Sequence, residues 1–158
     1  MSRLEEFRVR PFEPDDQEEV IRLWHDCGLV VPQNDPVKDI ARKLQFQPGL
    51  FLVGEREGQI VATAMAGYDG HRGWINYLAV SPALQGSGLG RRIMEEAEAR
   101  LRALGCPKIN LQVRTSNTQV IAFYERIGYK RDDVVSFGKR LVDDSPGDDT
   151  NKKDLLKR

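Results

Sequence analysis

Three glycines within five residues separate a strand pattern from a long helical pattern in the middle of this chain. Residues 74–80 are mostly apolar and end at Ser81-Pro82, whereas residues 89–104 place apolar side chains at helical spacing. Glycines let a backbone approach a ligand closely and adopt positive φ angles, and the start of a helix presents unpaired amides. The glycine turn therefore predicts an anion site for a phosphate or pyrophosphate, although a tight connection before a helix would use the same residues.

The remaining patterns predict a single α/β domain. Alternating or apolar runs bounded by turn residues indicate strands, and apolar residues spaced three or four apart indicate helices. The predicted strands are residues 7–10, 50–54, 59–65, 74–80, 109–113 and 134–141, and the predicted helices are residues 15–28, 36–44, 89–104 and 118–127. We expect the domain to span residues 1–142. Residues 143–158 are polar and charged, which is typical of a disordered tail.

Charge and composition exclude several classes of function. The 24 basic and 24 acidic residues balance, so the chain lacks the basic surplus of a nucleic-acid-binding protein. No apolar run approaches the ~20 residues of a membrane span, and no signal peptide is evident. Cys27 and Cys106 stand far apart without metal-ligand spacing, so no metal is expected. These features predict a cytoplasmic protein that does not bind membranes.

The spacing of the glycines distinguishes among phosphate-binding motifs. No Lys-Ser or Lys-Thr follows Gly90, which argues against a P-loop, and the spacing does not match a dinucleotide fingerprint. Gln85, Gly88 and Gly90 match the pattern Q/R-x-x-G-x-G/A. The preceding residues 78–82 read LAVSP, and residues 116–129 read SN-x₆-YE-x-x-GY. With these motifs the chain resembles the GNAT superfamily of acyl-CoA-dependent N-acyltransferases over about residues 7–141.

The resemblance implies a fold and an activity. The implied fold is α/β, with a central mixed, mostly antiparallel sheet that contains a splayed pair of strands and is flanked by helices. The implied activity is that of an acetyl-CoA-dependent N-acetyltransferase (EC 2.3.1 class) acting directly on a primary amine. Homodimers are common in the superfamily. Residues 68–73 and 138–141 are also similar to the bacterial subgroup called YpeA, for which the resemblance supplies no acceptor.

The resemblance also implies roles for individual residues. The pantetheine arm of acetyl-CoA would pair with the backbone of Leu78 and Val80. Asn117 would bond the cofactor near the pantetheine, and Tyr124 would be the general acid for the departing thiolate. Asn117 could instead only cap its helix, and Tyr124 could be a packing residue. The pyrophosphate would sit on the amides of the turn, which are those of Gln85, Gly86, Ser87, Gly88, Leu89 and Gly90.

The general base is less evident. Some members of the family carry a glutamate at the position of Gln112, and glutamine cannot accept a proton. Asp69 and His71 are the remaining candidates, acting directly or through water, although their loop could also be a solvated turn. Arg72 beside them could bind a substrate carboxylate. Without a strong base, the best acceptor should carry an amine of low pKa, such as an α-amine.

Three alternatives remain at the level of sequence. The donor could be a longer acyl-CoA, or the chain could be a non-catalytic regulator that binds acyl-CoA. A pure protein-interaction module is disfavoured by the glycine turn. The acceptor cannot be read from the residues, so a small metabolite, an antibiotic-like amine and a peptide amine all stay open.

Overall fold

In a computed structural model of the chain, which describes residues 6–145, five strands form one sheet in the order β1-β2-β3-β4-β5. Neighbouring strands are antiparallel except β4 and β5, which are parallel. The strands are β1 (Arg8–Pro11), β2 (Phe51–Arg56), β3 (Gln59–Tyr68), β4 (Gly73–Val80) and β5 (Ile109–Leu111). The helices are α1 (Gln17–Asp26), α2 (Pro36–Lys43), α3 (Leu89–Ala103) and α4 (Thr118–Arg126). The predicted α/β fold with a mixed, mostly antiparallel sheet is confirmed.

Local chemistry sets where these elements begin. The Asp35 carboxylate accepts the backbone N–H groups of Val37 at 3.0 Å and Lys38 at 3.2 Å, and Pro36 occupies the first position of α2. A capping carboxylate followed by proline is typical of a helix start, and it agrees with the predicted start of this helix at residue 36. Between β2 and β3, Glu57 and Gly58 both have positive φ angles, as a two-residue hairpin turn requires.

The sheet separates two hydrophobic clusters. On one side, which we call the α3 face, buried residues of α3 pack on the sheet together with Tyr124 of α4. On the other side, the α2 face, residues of α1 and α2 such as Trp24 and Ile40 pack on Phe51 and Val53. Each side of β4 therefore meets a different set of helices.

A bulge interrupts the pairing of β3 with β4. Met65 pairs with Asn76 and Thr63 pairs with Ala79, so two residues of β4, Tyr77 and Leu78, stand opposite one residue of β3. Tyr77 has a φ of 50°, a left-handed conformation that costs ~1–2 kcal/mol in a residue other than glycine. The two-against-one pairing together with this conformation forms a β-bulge.

Three side chains hold the bulge in place. The indole N–H of Trp24 donates to the Thr63 hydroxyl at 2.9 Å, and that hydroxyl donates to the Tyr77 carbonyl at 2.8 Å. The Trp24 and Tyr77 rings also stack, with centroids 3.8 Å apart. Thr63 is fully buried, so these bonds satisfy polar groups that have no access to water.

The parallel pair of strands separates at the bulge. β4 and β5 are paired only from Gly73–Ile109 to Ile75–Leu111, and β4 continues for five residues beyond the last pair. The gap opens beside the second half of β4. This is the splayed pair that the family resemblance implies.

The predicted last strand is wrong. Residues 134–141 form no strand in the described structure, and Val134, Phe137 and Leu141 are exposed. Adjacent valines and a glycine break the alternation that would bury one face, and the segment is held by side-chain contacts instead. Lys108 pairs with Asp132 at 2.7 Å, and the Gln112 side chain donates to the Ser136 hydroxyl.

The C-terminal part of the described chain reaches α2. Arg140 donates to the Gln33 carbonyl at 3.0 Å, and Arg42 binds Asp144 through two bonds of 2.7 and 3.0 Å. Most of the predicted tail, residues 146–158, lies outside the described residues.

Candidate functional site

The glycine turn has the conformation that its composition predicts. Gly86 and Gly88 have φ angles of 82° and 89°, and Gly88 is the N-cap of α3. No side chain of the described residues caps this helix start. A Cβ added at either glycine would meet no atom within 4 Å, so the turn borders open space. Uncapped amides facing open space suit an anionic group.

The turn is tied to β4 and to α4. The Gln85 side chain donates to the Val80 carbonyl at 3.2 Å. At Gly90 a Cβ would lie only 3.1 Å from the Phe123 ring, so the absence of a side chain lets α4 pack against the first turn of α3. The start of α3, the end of β4 and the middle of α4 therefore meet at one place on the α3 face.

Tyr124 lies in the core beside this meeting point. It is 8% exposed, whereas the neighbouring Phe123 is half-buried. The Tyr124 ring packs edge to face with the rings of Phe123 and Tyr129, with centroid distances of 5.2 Å and 5.6 Å. Burial raises the pKa of the Tyr124 phenol well above its usual value, because the phenolate would lose solvation. The phenol therefore keeps its proton throughout the neutral range.

The other residues that the resemblance assigns to the cofactor make hydrogen bonds or packing contacts within the protein. The Asn117 carbonyl oxygen accepts the Val120 N–H at 3.3 Å, so Asn117 caps α4. The Val80 carbonyl accepts the Cys27 thiol at 3.2 Å as well as the Gln85 amide. Leu78 is half-buried on the α3 face within the bulge. Their roles toward acetyl-CoA stay predictions.

The candidate bases lie at the far end of β4. Asp69 and His71 are exposed in the turn that precedes β4. The glycine turn lies beyond the other end of β4, and the 8 residues of the strand separate the two turns by roughly 25 Å. The Asp69 carboxylate accepts the backbone N–H groups of His71 at 2.8 Å and Arg72 at 2.7 Å. These bonds lower the pKa of Asp69, which makes it a weaker base. The Arg72 guanidinium donates to the His71 carbonyl.

A cavity on the α2 face was not predicted from the sequence. It has a volume of about 420 Å³ and adjoins the bulge, with residues of α2, β3 and β4 around it. The residues that line it are Asn34, Asp39, Arg42, Lys43, Phe46, Met65, Asn76 and Tyr77. We call it the α2 pocket. The sequence shows only the α2 side of this pocket, since Asp39 and Lys43 are four residues apart and therefore lie on the same face of the helix.

Two residues of the α2 pocket form a short bond. The Tyr77 hydroxyl donates to the Asp39 carboxylate at 2.5 Å. Burial, followed by the bond to Asp39, raises the pKa of Tyr77 above its usual range. The phenol therefore stays protonated, and the carboxylate of Asp39 is held beside the bulge.

Comparison with known proteins identifies the family. The model of the acetyltransferase (GNAT) family matches residues 3–129, which is most of the chain. The chain belongs to the GNAT family. Members of this family are acyl-CoA-dependent transferases.

Solved structures of this family are similar in fold. Ard1 from Thermoplasma volcanium is 24% identical with a TM-score of 0.71, over 78% of this chain and 82% of that one. A putative acetyltransferase from Agrobacterium tumefaciens is 25% identical with a TM-score of 0.69, over 85% and 99%. Chaetomium thermophilum Naa20 in complex with a bisubstrate analogue is 27% identical with a TM-score of 0.64, over 78% and 70%.

Two further properties concern the described part of this GNAT chain. Among residues 6–145 no helix is long and apolar enough to cross a membrane. The same residues include no group of three or more His, Cys, Asp or Glu side chains that could hold a metal ion.

Proposed function

We propose that this protein transfers the acetyl group of acetyl-CoA directly to the nitrogen of a primary amine. The observation that carries the proposal is the uncapped start of α3 at the glycine turn, next to the gap where β4 leaves β5. The turn offers backbone amides to a pyrophosphate, and the gap offers strand edges to an extended arm. Naa20, a similar protein, has been crystallised with a bisubstrate analogue, which supports the same mode of binding here.

The residues assigned to the cofactor then have defined roles. The amides of the turn, from Gln85 to Gly90, hold the pyrophosphate. The backbone of Leu78 and Val80 orients the pantetheine arm, and Asn117 bonds it while also capping α4. Acetyl-CoA, when bound, supplies an activated thioester carbonyl. Holding an amine against that carbonyl contributes the larger part of the acceleration.

Tyr124 donates the proton that the departing thiolate needs. In water the transfer is uphill by about 1.5 pKa units, because a thiol has a pKa of ~8.5 and a phenol ~10. Burial raises the pKa of Tyr124 and of any thiolate beside it, so proximity rather than a pKa match must favour the transfer. The observation that supports the role is a buried phenol on α4, whose neighbour Phe123 packs against Gly90 in the first turn of α3.

The proton of the amine has three candidate acceptors. Asp69 and His71 act through water in this proposal, since their turn lies at the other end of β4. Asp39 is the third candidate, because its carboxylate lies in the α2 pocket beside the bulge. All three suit an amine of low pKa better than a lysine-like amine.

An amine panel tests the proposal. Purified protein is incubated with acetyl-CoA and small-molecule or peptide amines, thiol release is followed, and products are identified by mass spectrometry. We expect release with at least one primary amine and a mass increase of one acetyl group. Binding of CoA without thiol release for any amine would point to a non-catalytic regulator. Faster thiol release from a longer acyl-CoA would mean that the longer acyl-CoA is the donor.

Three finer assignments complete the proposal. The similarity of residues 68–73 and 138–141 to the YpeA subgroup supports membership of that subgroup, which we propose as the finer assignment. Cys27 and Cys106 are both free thiols, which suits a reducing compartment such as the cytoplasm. A homodimer, as is common in the superfamily, would show in light scattering as about twice the mass of one chain.

A further inference from the structure

We propose that the α2 pocket is the acceptor site and that it selects a primary amine bearing a carboxylate several bonds from the reacting nitrogen, with Lys43 binding that carboxylate. The inference rests on the proposed function, because it names the substrate class of the same reaction. It follows from the position of the pocket, the pairing of its charges and the register of β3.

The position of the pocket connects it to the reaction centre. Asn76 and Tyr77 line the pocket, and the next residue, Leu78, belongs to the bulge, which lies beyond the last β4 residue paired with β5. A molecule in the pocket therefore lies against the strand within one or two residues of the proposed pantetheine site. The volume of about 420 Å³ is within the range of small-ligand sites.

The pairing of charges leaves Lys43 without an acidic partner. Arg42 is bound by Asp144 through two hydrogen bonds, and Asp39 accepts the Tyr77 hydroxyl and lies 3.6 Å from Arg42. Within residues 6–145 no carboxylate pairs with the half-buried ammonium of Lys43, and burial lowers its pKa. A buried charge without a partner is unfavourable, so an anionic ligand would be stabilised there.

The nature of the cation favours a carboxylate over a phosphate. A phosphate site usually presents an arginine fork or several donors, and the guanidinium of Arg42 is already occupied by Asp144. A single ammonium matches a singly charged carboxylate. The exposed ring of Phe46, at the rim of the pocket, is available to cover the chain of the acceptor.

The register of the sheet sets the distance between the two ends of the acceptor. A Cβ at Gly67 would lie 3.4 Å from the Lys43 ammonium, so this ammonium stands over Gly67. The bulge stands opposite Ala64, three positions along β3, or roughly 10 Å away. A free α-amino acid is too short to span this distance, whereas an amine with an intervening chain, such as a tripeptide, reaches it.

A ladder of glycine peptides measures this distance. The acceptors are glycine, diglycine, triglycine and tetraglycine, each as the free acid and as the C-terminal amide. From diglycine onward the amine changes little while the anion moves, whereas free glycine has a more basic amine than its amide because the carboxylate is adjacent. We expect kcat/KM for triglycine to exceed that of its amide by tenfold or more, and the ratio to be smaller for glycine. In Lys43→Met the ratio should fall to near one, mainly through KM.

The matched control is Lys38→Met, which removes an exposed lysine from the same helix but outside the pocket. It should keep the wild-type ratio of acid to amide. Equal kcat/KM for acids and amides at every length, or a ratio that survives Lys43→Met, would overturn the inference while leaving the proposed function intact.

A binding experiment separates failure of the inference from failure of the proposed function. Triglycine and its amide are titrated calorimetrically into the protein saturated with CoA. Tighter binding of the acid that is lost in Lys43→Met supports the acceptor site even if no acetylation occurs, in which case the proposed function fails alone. No binding of either peptide, or equal binding of both, overturns the inference.

Discussion

The two sides of β4 carry sites that are built in different ways. On the α3 face, the groups offered to a ligand are backbone amides, set by the positive φ angles of Gly86 and Gly88. On the α2 face they are the side chains of Asp39, Lys43 and Asn76, drawn from a helix and a strand. The bulge takes part in both sides, since Leu78 packs on the α3 face and the Tyr77 hydroxyl bonds Asp39 in the α2 pocket.

This difference suggests that the α3 face binds the donor shared by the family, whereas the α2 face determines which acceptor is used. A backbone site depends on conformation and suits a group that stays constant, which in our proposal is the pyrophosphate of acetyl-CoA. A side-chain site changes with every substitution, so it can be adapted to a different acceptor without disturbing the donor. The predictions that follow ask whether the two halves can be altered separately.

The largest expected effect is on the α3 face, at Tyr124. Tyr124→Phe removes the proposed proton donor but keeps the ring, so kcat should fall by ~10²–10⁴-fold while CoA affinity changes little. Because burial raises the pKa of the phenol, wild-type activity should show no loss from its ionisation below about pH 10. Steady-state and single-turnover rates measure the fall in kcat and the pH dependence of the wild type.

Tyr129→Phe is the matched control for this prediction. The centroids of its ring and the Tyr124 ring are 5.6 Å apart, and its buried hydroxyl makes no hydrogen bond within the described residues. Burial, and after it the nearby Glu98, raises the pKa of Tyr129. Removing that hydroxyl should leave kcat unchanged. An unchanged kcat in Tyr124→Phe, under conditions where chemistry limits the rate, would remove Tyr124 from the mechanism.

The next effect tests whether the bulge joins the two sides. Thr63→Val replaces the buried hydroxyl with a methyl group and leaves the Trp24 indole N–H and the Tyr77 carbonyl without their partner. Each of these two unsatisfied groups costs ~1–3 kcal/mol, so the free energy of unfolding should fall by about 2–6 kcal/mol in urea titrations. CoA affinity and acceptor KM should both worsen.

Thr63→Ser restores the hydroxyl and serves as the rescue. It should recover most of the CoA and acceptor affinity, with a smaller loss of stability from the missing methyl group. If the valine variant bound CoA as the serine variant does, the geometry of the bulge would not depend on Thr63.

The sequence predicted the strand, the glycine turn and the helix over residues 74–104 for a physical reason. The glycine turn, the strand before it and the helix after it are contiguous, so their order and spacing appear in one short stretch of chain. Asp35 and Pro36 likewise marked the start of α2, because a cap acts within four residues. Elements of this kind need only local information.

The α2 pocket and the C-terminal segment needed information that the sequence does not carry locally. Asp39 and Tyr77 are 38 residues apart, and nothing in either neighbourhood shows that they meet. Residues 134–141 resemble a strand in composition, yet strand formation requires a paired neighbour, and the described structure pairs β5 with β4 alone. Register and tertiary pairing decided both outcomes.

A hundredfold effect is expected from the choice of acceptor amine. At pH 7 a lysine-like amine of pKa ~10.4 must lose a proton at a cost of roughly 4–5 kcal/mol, whereas an α-amine of pKa ~7.7–8.0 costs about 1. Without a glutamate at Gln112, kcat/KM should favour the α-amine by about 10² or more. Matched α- and ε-amine acceptors compared from pH 6 to 9 test this, and the preference should shrink as the pH rises.

Three variants locate the proton acceptor for that amine. His71→Ala, Asp69→Asn and Asp39→Asn each remove one candidate, and the last keeps an acceptor for the Tyr77 hydroxyl. A changed pH profile in Asp39→Asn alone would assign the base to the α2 face. A preference of the wild type for the ε-amine at pH 7 would defeat the argument from the missing glutamate.

The smallest of these effects concerns the backbone site itself. Gly88→Val should weaken CoA binding by more than about tenfold, because the new side chain would fill the open space beside the amides of α3. Valine at a φ of 89° is also strained by ~1–2 kcal/mol, so the variant will be less stable for a reason unrelated to the ligand. Gly105, at the other end of α3, has a φ of 86° and equally open surroundings, so Gly105→Val carries the same strain away from the turn. Both variants should lose similar stability in thermal melts, whereas calorimetric titration should show weaker CoA binding in Gly88→Val alone. Equal CoA affinities for the two variants would mean that the pyrophosphate does not sit on the glycine turn.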